Sequence, residues 1–352
     1  MPNFFAQSLR DLAQRIFQAM DLGPDDASWL AQLLVKSNLQ GHDSHGVARI
    51  PQYHQMWRCG GVNPRAKPVI VQEGPVTAVM DGLMGYGQLV ARDAMRLCID
   101  KARAAGMAGV GFHNFTHLGR LADFSEMALE HDMLGFLFVS GRSADQWVAP
   151  WGGRTGKLST NPLAFAAPAQ ECTPISLDYA TAAAPEGVVR LKKMRGEKAA
   201  PRTLIDAEGN PSDDPNVLYA NPRGSILPFG GHKGYALSLM VEVLACLLGR
   251  CGERLTVASV SQSRFGAFAL AIDVGRFAPA DEFRREVDTL IRHAKSSPSA
   301  AGFDEVLTPG EPEARQEARL LAEGIQLEDE TWGRIRDVAA ELGVETTAIE
   351  TR

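Results

Sequence analysis

Residues 76–90 read VTAVMDGLMGYGQLV. An apolar run closing on Asp81 leads into a glycine-bracketed turn, Gly85-Tyr86-Gly87, after which the apolar spacing becomes that of a helix. Strand, turn and helix in this order are the setting in which G-x-G-x-x-G cradles a dinucleotide pyrophosphate. Here Val90 stands where the third glycine belongs, and no acidic residue closes a second strand about twenty residues on. The stretch therefore reads as a tight turn before a helix, and a standard Rossmann fingerprint is excluded.

Outward from this point the same texture continues. Short apolar runs, PVIVQ (68–72), AGVGFH (108–113), LGFLFVS (134–140), LAFAAP (163–168) and PISLDY (174–179), alternate with helical spacing over 88–105, 122–131 and 234–248. Strands mixed with helices predict an α/β architecture. The segment 237–248 carries Glu242, is too short to span a bilayer, and reads as a buried helix. Residues 200–217, APRTLIDAEGNPSDDPNV, read as an exposed functional loop of about twenty residues. At the N-terminus Phe5, Leu9, Leu12, Ile16 and Met20 recur at helical spacing; Gly23-Pro24-Asp25 interrupts them, and a second helix over about 26–40 ends at Gly41. Helical spacing returns over 282–292, 312–323 and 331–342, so the terminal helices are expected to pack together and leave the strand-rich middle as its own lobe.

With 352 residues the chain exceeds what one core usually holds, and 45% apolar with 22% charged residues excludes a disordered chain. A net charge of -6 without any lysine/arginine block excludes a nucleic-acid footprint. Five scattered cysteines read as thiols of a reducing cytosol, and the opening MPNFFAQSLRDLAQRIF lacks the unbroken apolar stretch of a signal peptide. A soluble cytoplasmic protein is expected, with neither membrane nor nucleic-acid partner.

The loop Gly41-His42-Asp43-Ser44-His45-Gly46, with Arg49 beyond it, concentrates chemistry. Imidazole exchanges protons near neutral pH, a serine hydroxyl orients the ring, and a guanidinium fork grips a carboxylate. The alternative is a capping loop beside a surface arginine. A serine-hydrolase elbow needs G-x-S-x-G and is not matched. His42 with His45, or His113 with His117, lacks the HExxH context, and no metal is expected. In GFHNFTHLGRLADF (111–124) a strand feeds a helix start beside Arg120, which is either an anion site or a plain turn. Trp151-Gly152-Gly153, Ser159-Thr160-Asn161-Pro162 and Gly230-Gly231-His232-Lys233-Gly234 are joints where a backbone can approach a ligand, or simply turns.

Taken together, GHDSHGVARIPQY (41–53), MDGLMGYGQLVARDAM (80–95), HLGRLADFSEMA (117–128), STNPLAFAAP (159–168), LDYAT (177–181), GGHKGYALSLMVEVL (230–244) and PGEPEARQEA (309–318) resemble, in the expected order, the type-2 malate/L-lactate dehydrogenase family. That family also holds ureidoglycolate dehydrogenases and Δ1-piperideine-2-carboxylate reductases, and the likeness is strongest to its bacterial hydroxycarboxylate dehydrogenases. The resemblance implies a non-Rossmann NAD(P)-binding lobe with a mixed sheet (119–299) beside a helical, substrate-side lobe (1–118 with 300–352). It implies a homodimer, NAD or NADP as cofactor, and hydride transfer between it and a small 2-oxo or 2-hydroxy acid. Carried over, a protonated His45 gives its proton to the substrate oxygen with Ser44 as relay partner, His117 is a further acid/base, and Arg49 and Thr160 hold the small carboxylate substrate. His117, Leu118, Gly119, Arg120, Leu121, Ser140, Asp178, Tyr179, Ala180, His232, Lys233, Pro309, Gly310 and Glu311 line the cofactor site. The chain departs from the family over Ala182-Ala183-Ala184-Pro185-Glu186-Gly187-Val188. The imino-acid reductases place a relay aspartate where Val188 stands, and valine accepts no hydrogen bond. A cyclic imino acid reductase, or a nicotinamide-binding protein without turnover, are the competing expectations.

Overall fold

Leu9, Leu12, Ile16 and Phe17 share one face of helix α1 (Ala6–Ala19), and that face is buried. Gly23 and Pro24 then break the chain and start α2 (Pro24–Leu39), whose Asp25 and Asp26 sit in its first turn, where the helix dipole favours negative charge. The structure, a computed structural model, describes residues 1–141, 146–252 and 265–346. Parts of both expected lobes (142–145 and 253–264 in one, 347–352 in the other) lie outside the described residues.

Strand β1 (Asn3–Phe4) precedes α1, and α3 (Ile50–Arg58) follows the His45 loop. The middle of the chain contributes β2 (Val69–Glu73), β3 (Thr77–Gly85), α4 (Gly87–Ala105), β4 (Met107–Phe115), α5 (Ala122–Ser125), β5 (Met133–Ser140), β6 (Pro162–Ala167), β7 (Ile175–Ala180) and α6 (Glu186–Arg195). Then come β8 (Leu204–Ile205), β9 (Pro211–Ser212), β10 (Ser225–Ile226), α7 (His232–Glu242), β11 (Gly266–Asp273), α8 (Ala280–Lys295), α9 (Glu311–Glu323), β12 (Ile325–Gln326) and α10 (Asp329–Glu341).

Seven strands form one mixed sheet in the order β2-β3-β4-β11-β5-β6-β7. Only β3 and β4 run parallel, joined by α4; every other neighbouring pair is antiparallel. The α/β expectation and the mixed sheet both stand. Val90, Ala94, Met95 and Cys98 of α4 pack on Val110, Phe112 and Ala269 to make the sheet's core. A second core joins α1 and α2 to Ile325, Leu327, Ile335 and Val338, and β1 pairs with β12, so the two terminal segments do pack together. The sheet takes strands from both sides of residue 118.

Two expectations are corrected. The stretch 200–217 is not a structureless loop. Asp206 accepts the N–H groups of Glu208 and Asn210, closing a turn that pairs β8 with β9, and β10 completes a three-stranded sheet. Leu204, Leu218 and Ile226 bury against Val148 and Val189 beneath it. The second correction concerns 237–248. Val241 and Ala245 are buried, but Leu239, Met240, Val243, Leu247 and Leu248 stand 41–52% exposed on the other face. Hydropathy alone does not tell a helix buried all round from one with an apolar outer face.

Candidate active site

The His45 loop is shaped by one buried asparagine. Asn38, near the end of α2, accepts the Val47 N–H (2.9 Å) and donates to Asp43 (2.6 Å). Gly46 makes this possible, since a Cβ there would fall 2.1 Å from Asn38 Oδ1. The turn so fixed places Ser44 Oγ 3.0 Å from His45 Nδ1. Arg49 folds back on the same turn, donating from Nε to the Ser44 carbonyl (2.5 Å) and from Nη1 to Gln52 (2.6 Å). Arg49 is therefore not a loose surface arginine.

The turn after β4 brings the second imidazole to this loop. His117 stacks on His45 with ring centroids 5.6 Å apart and planes 24° apart. The Tyr53 hydroxyl, on α3, lies 2.9 Å from His117 Nδ1 and accepts from Gln88 Nε2 at 2.6 Å. Gly87 permits the close approach of α4 to this turn, because a Cβ would sit 2.2 Å from the Thr116 carbonyl oxygen. Tyr53, Gln88 and Asn38 were not picked out from the sequence. Tyr53 was legible as the residue one helical turn after Arg49; Gln88 had no comparable signal.

Other expected residues gather at the same end of the sheet. Ser140 closes β5 and donates to Glu242 of α7 (2.6 Å). Asn161 donates to Glu242 (3.2 Å) and to Ser238 Oγ (3.0 Å), and Thr181 Oγ1 donates to the carbonyls of both Thr160 (3.1 Å) and Asn161 (3.0 Å). Ala180 pairs with Pro162 across β6 and β7, and Tyr179 meets Phe229 edge-on just before α7. His232 and Lys233 are exposed at the first turn of α7, with His232 edge-on to Trp151 at 6.2 Å. The side chains of Leu118 and Leu121 belong to the sheet core, so only their backbone is available to a ligand.

From the sequence the start of α5 is either an anion site or a plain turn. Its donors meet the protein's own carboxylate: Asp178 Oδ2 accepts the N–H groups of Leu121 (2.6 Å) and Ala122 (3.0 Å). Arg120 is buried, donating to Gln40 and lying 3.7 Å from Asp123 and 3.8 Å from Glu126. Lys36 joins the cluster at 3.0 Å from Asp123 and 2.8 Å from Glu126. A cavity of about 210 Å³ next to it is lined by His42, Arg120, Ser176, Asp178, Gly310 and Glu313, among others. Ser176 N–H donates to the Pro309 carbonyl (3.1 Å), and Glu311 accepts from Thr308 and Lys295, which ties the 309–311 turn to β7.

Burial lowers the pKa of His45 to about 3, with the charges of Arg49, His42 and Arg120 pushing the same way. Burial, then Arg49 and His45, holds His117 well below the usual histidine value. Tyr53 is pushed up to about 12 by burial and stays a neutral hydroxyl. Burial first and the Arg49 charge second thus favour a neutral His45 in the free protein. Burial pulls Glu126 up, but Lys36 and Arg120 keep its carboxyl below the usual range.

The chain has relatives of known kind. The malate/L-lactate dehydrogenase family matches residues 4–336. The chain is 36% identical to the L-sulfolactate dehydrogenase of Methanothermobacter thermautotrophicus over 95% of both chains. It superposes on the malate dehydrogenase of Pyrococcus horikoshii OT3 with a TM-score of 0.87, at 30% identity over 97% of this chain and 96% of that one. The delta1-piperideine-2-carboxylate reductase of Pseudomonas syringae pvar. tomato aligns with a TM-score of 0.84, at 30% identity over 96% of this chain and 100% of that one. A nicotinamide cofactor is implied by that membership: the chain belongs to the malate/L-lactate dehydrogenase family, oxidoreductases that act on the CH–OH group of small hydroxy acids.

Proposed function

We propose that this site interconverts a 2-oxo acid and its 2-hydroxy acid through Arg49, Ser44, His45 and His117, with NADH or NADPH as redox partner. The observation that supports it most is the stacking of His45 on His117 in a turn to which Arg49 is itself hydrogen-bonded. Gln88 Oε1 and Asn161 Oδ1 are buried without a hydrogen-bond partner among the described residues, and such orphaned acceptors fit a bound group rich in amide and hydroxyl hydrogens. Ser140, the Asp178–Ala180 backbone, His232, Lys233, the 117–121 turn and the 309–311 turn would hold it. When bound, the reduced nicotinamide supplies a hydride to the 2-oxo carbon, and the oxidised form takes one back.

The protein's part follows from its charges. Arg49 pairs with the substrate carboxylate through the N–H groups it does not spend on Ser44 and Gln52. Thr160 is a second substrate contact. Carboxylate binding offsets the Arg49 charge, which after burial does most to hold His45 neutral, so substrate arrival favours a proton on the ring. With Nδ1 held by Ser44 Oγ, that proton is passed from Nε2 to the substrate oxygen. Arg120, beside the helix start that from the sequence offers an anion site, is occupied by Gln40, Asp123 and Glu126.

A two-lobed division is also proposed, with the terminal helical segments as one lobe. Its bounds are 1–118 with 300–352 for that lobe and 119–299 for the other. Among the described residues no helix is long and apolar enough to cross a membrane. The outer face of 239–248 and the exposed edge strand β2 are joined by Arg250, which donates to Gln72. Together they form an apolar surface suited to a homodimer contact.

The test is an activity matrix on the purified protein: NADH and NADPH against pyruvate-type, dicarboxylic and sulfonated 2-oxo acids, with Δ1-piperideine-2-carboxylate alongside. Turnover of 2-oxo acids supports the reading; turnover of the cyclic imine alone rejects it.

A further inference from the structure

Tyr53 and Gln88 touch neither His45 nor Arg49 through a hydrogen bond, yet both are held at the site. Tyr53 is fully buried, ringed by Phe17 and Tyr86, and Gln88 is buried in the first turn of α4. Their polar atoms form one chain: Gln88 Nε2, Tyr53 Oη, His117 Nδ1, with steps of 2.6 and 2.9 Å.

The direction of this chain is set by what burial allows. The amide nitrogen faces Tyr53, and the amide oxygen is the atom without a partner. The reverse orientation would leave both amide N–H donors without an acceptor among the described residues, against one N–H and the more tolerant carbonyl oxygen as placed. A hydroxyl that accepts from the amide has its own hydrogen free for a second acceptor. Its other neighbour in the chain is His117 Nδ1, so Nδ1 accepts and the ring hydrogen sits on Nε2. Protonating Nδ1 would turn the Tyr53 hydrogen away and leave it buried without an acceptor among the described residues, which reinforces the effect of burial and of the neighbouring His45 and Arg49.

We infer that Tyr53 and Gln88 are positioning residues that fix the tautomer of His117, keeping its hydrogen on Nε2 and making it a neutral hydrogen-bond donor toward the substrate oxygen. His45 and His117 then divide the work. His45, relayed by Ser44, exchanges the proton; His117 stabilises charge on the oxygen without becoming a cation. This rests on the reading of the site given above, but its signature is visible without turnover.

Nitrogen NMR on the full-length protein labelled in its histidine rings tests it, with the His117 signals assigned by their loss in His117→Gln. The wild type should show Nε2 protonated and Nδ1 bare at neutral pH. Tyr53→Phe, which keeps the packed ring, should release the constraint and mix the two tautomers. Gln88→Glu supplies only acceptors, so it should turn the Tyr53 hydrogen away and move the His117 hydrogen to Nδ1. Tyr53→Phe should also lower kcat for 2-oxo acid reduction roughly tenfold while KM stays within about twofold. A hydrogen on Nδ1 in the wild type, or a His117 spectrum unmoved in both variants, overturns the inference. A merely structural Tyr53 would lower thermal stability and leave tautomer and kcat alone. Should the tautomer be as stated while no 2-oxo acid is turned over, the functional reading fails and the relay stands.

Discussion

Arg49 donates to the carbonyl oxygen of Ser44, the residue whose hydroxyl holds His45. The proposed substrate clamp and the proposed proton donor therefore share one turn of backbone, and a charge arriving at Arg49 is felt at the imidazole. His45 lies at about 3 in the free protein, with Arg49 the largest charge holding it down after burial.

Binding of a 2-oxo acid should raise the His45 pKa. The ionisation seen in kcat, which reports the substrate complex, should then lie above that seen in kcat/KM, with the reductive kcat falling as pH rises through it. Identical profiles for the two parameters would contradict the coupling. His45→Ala should lower turnover roughly a hundredfold or more.

Arg49→Leu should raise KM for carboxylate substrates by an order of magnitude or more, since a charge-assisted bidentate pair is lost (about 1.5–3 kcal/mol). Arg49→Lys should not restore it, because an ammonium cannot both hold Ser44 and fork onto a carboxylate. A normal KM in Arg49→Leu removes the clamp from that residue.

Acid should destabilise the fold through the same histidine. Its pKa is lower folded than unfolded, so the unfolded chain binds more protons between about pH 6.5 and about pH 3. Stability is full above that window and falls with pH inside it, by roughly tenfold in the folding constant per unit for one such group. Urea unfolding at several pH values should show a shallower acid loss in His45→Gln; an equal slope would argue against the lowered pKa.

Gly46→Ala should disturb the turn that holds His45, because the added Cβ overlaps the Asn38 amide. A cost of about 1–3 kcal/mol is expected, with a larger proportional loss of activity than of stability. Thermal melts and kcat measured together decide this, and full activity would show that the turn yields freely.

Val243→Asp with Leu247→Asp places charges on the exposed apolar face and should give a monomer by light scattering. A mass of two chains for this variant would move the dimer contact elsewhere.

Much of this was legible in the sequence where one physical signal dominated. Alternating apolar runs marked the strands, and the bracket Gly85-Tyr86-Gly87 marked the start of α4. Ser44, His45 and Arg49 stand out within six residues of sequence, and the structure links all three by hydrogen bonds. What escaped depended on contacts between distant segments. Nothing in HLGRLADF (117–124) shows that Asp178 will fill the donors at its helix start, or that Glu126 and Asp123 will claim Arg120. Residues 200–217 looked like loop because turn-forming residues outnumber the few, Leu204 and Ile205 among them, that pair and bury.

The single parallel pairing in an otherwise antiparallel sheet has a consequence for how this protein can vary. A hairpin from β3 would have returned the chain to the far edge and left β4 ending there. The crossover instead makes α4 begin, and β4 finish, at the same rim, with the Thr116 N–H donating to the Gly85 carbonyl (3.1 Å) to seal the junction. One βαβ excursion thereby delivers both Gln88 and His117 to the rim of the candidate site. Insertions at its other corner, near Gly106, lengthen the protein away from the chemistry, whereas a one-residue change at the Gly85–Gly87 corner rotates one partner past the other.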